Sequence, residues 1–245
     1  MKPLFRVVAI GGLAGAGGGA AFLYFGAAAP NLLAAVGALG FAAVALASRA
    51  LGSGERRNAS GYALTWPARA FFALATIAFL LFLAEGAISD WSGVYLASIG
   101  ASTAFASAGF VTFSIAIETE RLLGDRVVAR YGRMFVVSAG ALVAAGGFAL
   151  AAGSPHFASL LASYAMVGAG HANVVPALFS ASAGFGSSPG QGIATVATAG
   201  YAGLLTGPPF VGAIAAWDSL RLGFAALAAT ACAAALISIS ATTSE

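Results

Sequence analysis

The sequence predicts an all-α membrane protein whose chain crosses the bilayer eight times. Of its 245 residues, 60% are hydrophobic and only 8% are charged, whereas an ordinary soluble domain carries about 25% charged residues. Eleven basic and eight acidic residues are too few to give a chain of this length a water-facing surface. The composition excludes a cytosolic enzyme and a disordered chain, and a net charge of +3 is too small for a nucleic-acid-binding face.

Uncharged stretches place the helices, because a helix needs about 20 mostly apolar residues to cross the hydrocarbon core. The stretches of sufficient length are residues 7–48 and 134–217, which hold two and three helices, and residues 70–89, 91–117 and 222–240, which hold one each; residues 70–89 contain a single acid, Glu85. Breaks are expected near Pro30, near Pro155 and at residues 184–190, where proline and glycine interrupt the pattern. Because the runs are long and do not alternate in polarity, the strands of a membrane barrel are excluded.

The basic residues orient these helices. With eight crossings, ten of the eleven Lys and Arg residues fall on one side of the membrane, and only Arg221 falls on the other. Basic residues concentrate on the cytoplasmic side, so the pattern predicts an inner-membrane protein with both termini in the cytoplasm. Lys2 and Arg6 before an apolar run also fit a cleaved signal peptide, although the run is long and rich in glycine for one.

One polar interval divides the chain. Residues 52–68 contain a short charged run and separate two predicted helices from six. Such an interval is typical of a linker between two helical bundles. We therefore expect a two-helix segment at residues 1–51, a cytoplasmic linker at 52–68 and a six-helix segment at 69–245.

The densest group of charges lies between the second and third helices of the six-helix segment. Its arginines, glycines and aspartate are Arg121, Gly124, Asp125, Arg126, Arg130, Gly132 and Arg133. On a continuing helix, Glu118, Arg121 and Asp125 share one face at spacings of three and four residues. Gly124 would allow another helix to approach closely. An ordinary cytoplasmic loop, with surface ion pairs worth about 0–1 kcal/mol each, explains the same composition.

Polar residues inside the predicted helices are candidates for function, because lipid makes an unpaired ionisable group costly. Glu85 lies in the outer third of its helix, and His171 and Asn173 lie near the middle of theirs. These three residues are candidates for the path of a substrate or a proton. Structural hydrogen bonds, or packing in the case of the histidine, are the alternative for each.

A pair of prolines interrupts the seventh predicted helix. Pro208 and Pro209 stand between Gly207 and Gly212 and remove two backbone donors. Lipid tolerates this only where neighbouring groups satisfy the freed carbonyls. We expect a kink here, which suits either a bending helix or a fixed curve.

The charged interval resembles a loop signature of the major facilitator superfamily, which lies between the second and third helices of each six-helix half. Three further segments resemble the seventh, tenth and eleventh helices of that superfamily, in this order: Glu85–Leu96, Gly168–Pro176 and Gly200–Gly212. The superfamily has twelve helices in two halves, so the chain matches helices five to twelve. The first four have no counterpart, which indicates a truncated reading frame, with a genuine eight-helix protein as the alternative.

The resemblance implies a secondary active transporter in a bacterial inner membrane, which moves a small solute by alternating access. A proton gradient is a candidate energy source. The resemblance also places the helices that carry Glu85 and His171 along the central pathway, and it makes the charged interval a cytoplasmic gating loop. The alternative is a truncated, non-transporting membrane fragment or a scaffold.

The expected partners are the lipid bilayer, a small-molecule substrate, H+ and the missing N-terminal half. The sequence contains neither a Walker-type loop nor a metalloprotease motif, and it has a single cysteine, Cys232. We therefore expect no enzymatic activity, no cofactor, no metal and no nucleic-acid partner.

Overall fold

The computed structural model describes residues 69–185 and 189–242, which all belong to one compact unit of the chain, Thr65–Glu245. Within these ranges all regular structure is helical. The predicted two-helix segment at residues 1–51 and the predicted linker at 52–68 lie outside the described residues, as does the side chain of Asp125.

The described residues form eight helices. They are α1 Arg69–Ser98, α2 Thr103–Ala106, α3 Ala108–Tyr131, α4 Arg133–Gly153, α5 Phe157–His171, α6 Val174–Ser182, α7 Pro189–Trp217 and α8 Leu220–Thr242. The six helices predicted for this segment are all present, with α5 and α6 forming the two parts of one broken helix. Within residues 69–185 and 189–242, three stretches are long and apolar enough to cross a membrane: Phe71–Ser98, Arg133–Gly153 and Leu220–Ala241.

The first boundary differs from the prediction, which ended the first helix near residue 89. Helix α1 continues through Asp90 to Ser98. Gly100 then adopts a φ of 91°, its N–H donates to the Ala97 carbonyl, and the N–H of Ala101 donates to the Leu96 carbonyl. This pair of bonds is the usual glycine stop of a helix. A single exposed aspartate does not end a helix, so its charge was a poor marker of the boundary.

Helices α1 and α7 pack with their backbones in contact. At three glycines a Cβ atom would collide with the carbonyl oxygen of the facing helix: Gly203 on Phe79, Gly207 on Leu83 and Gly86 on Leu204. Small residues permit this approach between helices in lipid, and Cα–H groups then lie against carbonyl oxygens. The α1–α7 pair is therefore joined through its main chains.

The same interface accommodates the prolines of α7, which remains helical through Pro208 and Pro209. Pro208 supplies no N–H to the Leu204 carbonyl, and that carbonyl faces the Cα of Gly86. The indole Nε1 of Trp91 donates to the Pro208 carbonyl at 3.0 Å. Groups on α1 thus contact the part of α7 whose own hydrogen bonds are incomplete.

On the other side of α1, aromatic rings fill the core. Tyr95, Phe148, Tyr164 and Phe224 come from four different helices, and the ring of Phe224 lies 4.9–6.2 Å from each of the others. Both tyrosine hydroxyls donate to backbone carbonyls, at 2.9 and 3.2 Å. This cluster fixes α1, α4, α5 and α8 around one centre, beyond which α5 continues to its break.

Candidate functional site

The break between α5 and α6 brings together most of the polar residues predicted for the site. Helix α5 ends at His171 and α6 begins at Val174. Pro176 has no N–H for the carbonyl four residues earlier, which belongs to Ala172. The guanidinium of Arg121 donates to that carbonyl instead, through Nε at 3.4 Å. A side chain from α3 therefore replaces a backbone donor that the proline removed.

His171 is buried in the protein, with 1% of its surface exposed. Its Nδ1 lies 3.0 Å from the Val167 carbonyl oxygen on its own helix, and its Nε2 lies 3.0 Å from the Leu81 carbonyl oxygen on α1. A neutral imidazole carries one N–H, so it can donate to only one of two carbonyls, whereas the protonated ring donates to both. His171 links α5 to α1 through Nε2, and only the protonated ring donates to both carbonyls at once.

Asn173 is half-buried and faces α3. Its Nδ2 donates to the Glu120 carbonyl at 3.4 Å. A Cβ atom on Gly124 would collide with the Asn173 side chain, so the asparagine occupies the space that this glycine leaves open. The structure thus brings two of the predicted residues, Gly124 and Asn173, into direct contact.

Arg121 is held by an acidic residue one helical turn earlier. Glu118 is buried, and its Oε1 lies 2.8 Å from Nη1 of Arg121. Its other oxygen, Oε2, is also buried and has no hydrogen-bond partner among the described residues. One guanidinium therefore spans from the Glu118 carboxylate to the carbonyl at the helix break.

Glu85 is half-buried on α1, one helical turn after Leu81. Its backbone carbonyl accepts a hydrogen bond from Ser89 Oγ at 2.8 Å. Because residues four apart lie on the same face of a helix, the Glu85 side chain leaves α1 from the face that carries Leu81. Glu85 is thus one helical turn along α1 from Leu81, whose carbonyl contacts His171.

The remaining residues of the charged interval lie at the end of α3 and the start of α4. Arg126 and Arg130 are exposed, and the guanidinium of Arg130 lies 5.5 Å from the centre of the Tyr131 ring. Gly132 ends α3 with a φ of 83°. Arg133 donates from Nη1 to the Ser180 carbonyl near the end of α6, at 3.2 Å.

The predicted kink residues lie apart from this break, on the α1–α7 interface. A Cβ on Gly212 would lie 3.1 Å from the Trp91 ring, so the indole covers α7 just beyond its prolines. Gly207 contributes to the backbone contact with α1, and the Pro208 carbonyl accepts the hydrogen bond from Trp91 described above.

Two features of the site were not predicted from the sequence. The first is the break itself, whose signal is Pro176 four residues after Ala172. The second is the open oxygen of Glu118, for which the spacing of Glu118 and Arg121 indicated an ion pair but not its burial.

No protein-family profile matches the sequence, but curated relatives do. An uncharacterized MFS-type transporter of Yersinia pestis is 34% identical over 232 residues, which are 93% of this chain and 60% of the relative. A membrane protein named MosC of Rhizobium meliloti is 36% identical over 62% of this chain and 37% of the relative. An uncharacterized transporter of Sinorhizobium fredii is 32% identical over 66% of this chain and 43% of the relative.

Among solved structures, the crystal structure of a peptide transporter POT, an E310Q mutant in complex with sulfate, has a similar fold. The TM-score is 0.64 at 17% sequence identity, over 69% of this chain and 37% of that one. The chain spans 60% of the first relative and less than half of the other two. The relatives, the fold and the apolar helices together establish an integral membrane protein, and the similarity to an MFS-type transporter over 93% of the chain supports a protein of the major facilitator (MFS) type.

Proposed function

We propose that this chain works in a secondary active transporter, which moves a small solute by alternating access and is coupled to protons. The transporter names of its relatives and the MFS-like fold support transport. The observation that carries the proton coupling is His171, a buried imidazole whose two nitrogens both face backbone carbonyls on different helices. The protonated ring donates to both carbonyls, and loss of one proton leaves a nitrogen lone pair against one of them.

The candidate pathway comprises Glu85, His171 and Asn173. Glu85 lies on α1 one helical turn after Leu81, whose carbonyl contacts His171, and Asn173 lies in the break between α5 and α6. Movement of α6 relative to α5 would change the surroundings of all three. We assign the charged interval from Arg121 to Arg133 the role of a cytoplasmic gate, because two of its arginines hold carbonyls of the broken helix.

We further propose that the protein lies in the bacterial inner membrane with both ends of the chain in the cytoplasm. The basic residues at the α3–α4 turn support this orientation. Arg221 lies at the other end of α4, where its Nε donates to the Ala152 carbonyl at 2.9 Å. A phosphatase fusion that is active after Gly132, or inactive after Trp217, would contradict the orientation.

The function is tested by uptake into proteoliposomes, with sugars, amino acids, peptides and drugs as solutes, and with and without an imposed pH difference. We expect the pH difference to stimulate uptake of at least one solute. His171→Asn should reduce uptake under the pH difference to the level without it. His156→Asn is the matched control, because His156 is an exposed residue at the start of α5 and asparagine also caps helices well.

Uptake that is insensitive to the pH difference would exclude proton coupling and leave transport intact. Failure to accumulate any solute would contradict transport by this chain and favour the non-transporting alternative. Equal effects of the two histidine substitutions would remove His171 from the pathway.

A further inference from the structure

We propose that Oε2 of Glu118 is a proton-binding atom, and that its protonation releases Arg121 from the break between α5 and α6. This inference deepens the proposed proton coupling and rests on it for its role in transport. It adds a second proton site, on the opposite side of the break from the contact between His171 and α1.

The first observation is the unequal state of the two carboxylate oxygens. Oε1 is paired with Arg121 at 2.8 Å, while Oε2 is buried and has no donor among the described residues. A buried acceptor without a donor is unfavourable, and more so when it belongs to a charged group. Addition of a proton at Oε2 neutralises the carboxylate, so this oxygen no longer carries buried negative charge without a donor.

The ligand must be small. Glu118 is 6% exposed, so its open oxygen has no room for a solute molecule. The side chain of Arg121 is 25% exposed and joins Glu118 to the surface. A proton carried by water along this side chain reaches Oε2 from the cytoplasmic end, and the carboxylate becomes a neutral carboxylic acid.

The second observation is what Arg121 holds. Its Nε donates to the Ala172 carbonyl, which Pro176 leaves without a backbone donor. The guanidinium stays in this position because the Glu118 carboxylate balances its charge. When Glu118 becomes neutral, the attraction is lost, and Arg121 gains by moving to water. The Ala172 carbonyl then lacks its donor, and α6 is free to change its angle to α5.

Other ionisable groups lie on α3 and on the helices packed against it. They include Glu120, Arg126 and Arg130 on α3 itself, and Arg69, Glu85, Asp90, Tyr95, Arg133, His156, Tyr164 and His171 on or at the start of its neighbours. None of the described basic groups among them forms an ion pair with Glu118, so Arg121 is the group that senses its charge.

The test measures a distance across the break in lipid nanodiscs. Cys232 is first replaced by serine, and spin labels are placed at the exposed positions Thr119 on α3 and Ser180 on α6. Distances are recorded by pulsed electron paramagnetic resonance from about pH 5 to about pH 8. We expect two distance populations whose ratio titrates with pH.

Glu118→Gln should show the low-pH population at every pH, because glutamine mimics the protonated acid. Arg121→Ala should show the same population, because the hydrogen bond from Arg121 to the Ala172 carbonyl is absent. Glu120→Gln is the matched control: it makes the same chemical change two residues away at a half-buried position, and it should titrate like the parent.

A parent distribution that does not change with pH would overturn the inference, and so would a Glu118→Gln variant that titrates like the parent. If Glu118→Gln does not fold, pH-dependent distances in Arg121→Ala would overturn it equally. The readout is a distance and does not depend on uptake. A pH-dependent distance without solute uptake would contradict the proposed transport alone. Solute uptake with a distance that does not change with pH would contradict this inference alone.

Discussion

The side chain of Asn173 occupies the space that a β-carbon on Gly124 would need. This contact joins the C-terminal part of α3 to the start of α6, and Nδ2 of the same asparagine donates to the Glu120 carbonyl. The charged interval and the broken helix, which are about fifty residues apart in sequence, therefore form one structural joint.

Gly124→Ala should displace the asparagine and lower the free energy of unfolding by about 1–3 kcal/mol, the usual range for overpacking. Unfolding in mixed detergent micelles measures this. In an Asn173→Ala background the same substitution should cost less, because the colliding atoms are gone. Gly146→Ala is the control, since its new β-carbon would meet only Met166 at 3.5 Å. Equal losses in both backgrounds would contradict the contact.

Gly86→Ala should separate α1 from α7, because its β-carbon would collide with the Leu204 carbonyl and a backbone atom cannot rotate away. We expect a loss of about 2–3 kcal/mol, at the upper end of overpacking effects. Gly190→Ala serves as the control, since no atom of the described residues lies within 4 Å of its added atom. Unfolding midpoints that match for the two variants would show that the helices are not in backbone contact.

Trp91→Phe should remove the donor to the Pro208 carbonyl while keeping most of the ring contact with α7. The expected loss of stability is about 1 kcal/mol, typical of one hydrogen bond. Trp217→Phe gives the comparison, because Trp217 is 82% exposed and should cost little. The prediction fails if Trp217→Phe is the more damaging of the two.

A buried pair of hydroxyls joins α4 to α8: Ser138 Oγ and Ser238 Oγ are 2.7 Å apart. Each hydroxyl also contacts a carbonyl of its own helix, at 2.9 and 2.7 Å. A double-mutant cycle with alanine at both positions should give a coupling of about 0.6 kcal/mol, the average for such bonds in membranes. A coupling of zero would mean that each serine bonds only within its own helix.

Much of the fold follows from the sequence, because lipid demands long apolar helices and proline, glycine and charge interrupt the apolar runs between them. The breaks between helices near Pro155 and before Pro189 are in their predicted places. The end of α1 was wrong by nine residues, since Asp90 lies on an exposed face and the actual stop is set by Gly100. Local charge predicts a helix end less well than backbone conformation does.

The site was harder to predict, because the partner of a polar residue depends on how the helices are rotated. Asn173 was expected beside a pathway, yet its amide donates to the backbone of α3. Glu118 was noted only as a surface ion pair, yet it is buried. Spacing along one helix shows which residues share a face, but the neighbour of that face is set by packing between helices.

The backbone contact between α1 and α7 has a mechanical consequence. Two helices whose main chains are in contact at three glycines cannot slide or tilt independently, so we expect them to move as one rigid body. We then expect bending where the α5–α6 rod is interrupted and one guanidinium bridges the gap. This interrupted rod carries the groups that we propose respond to protons.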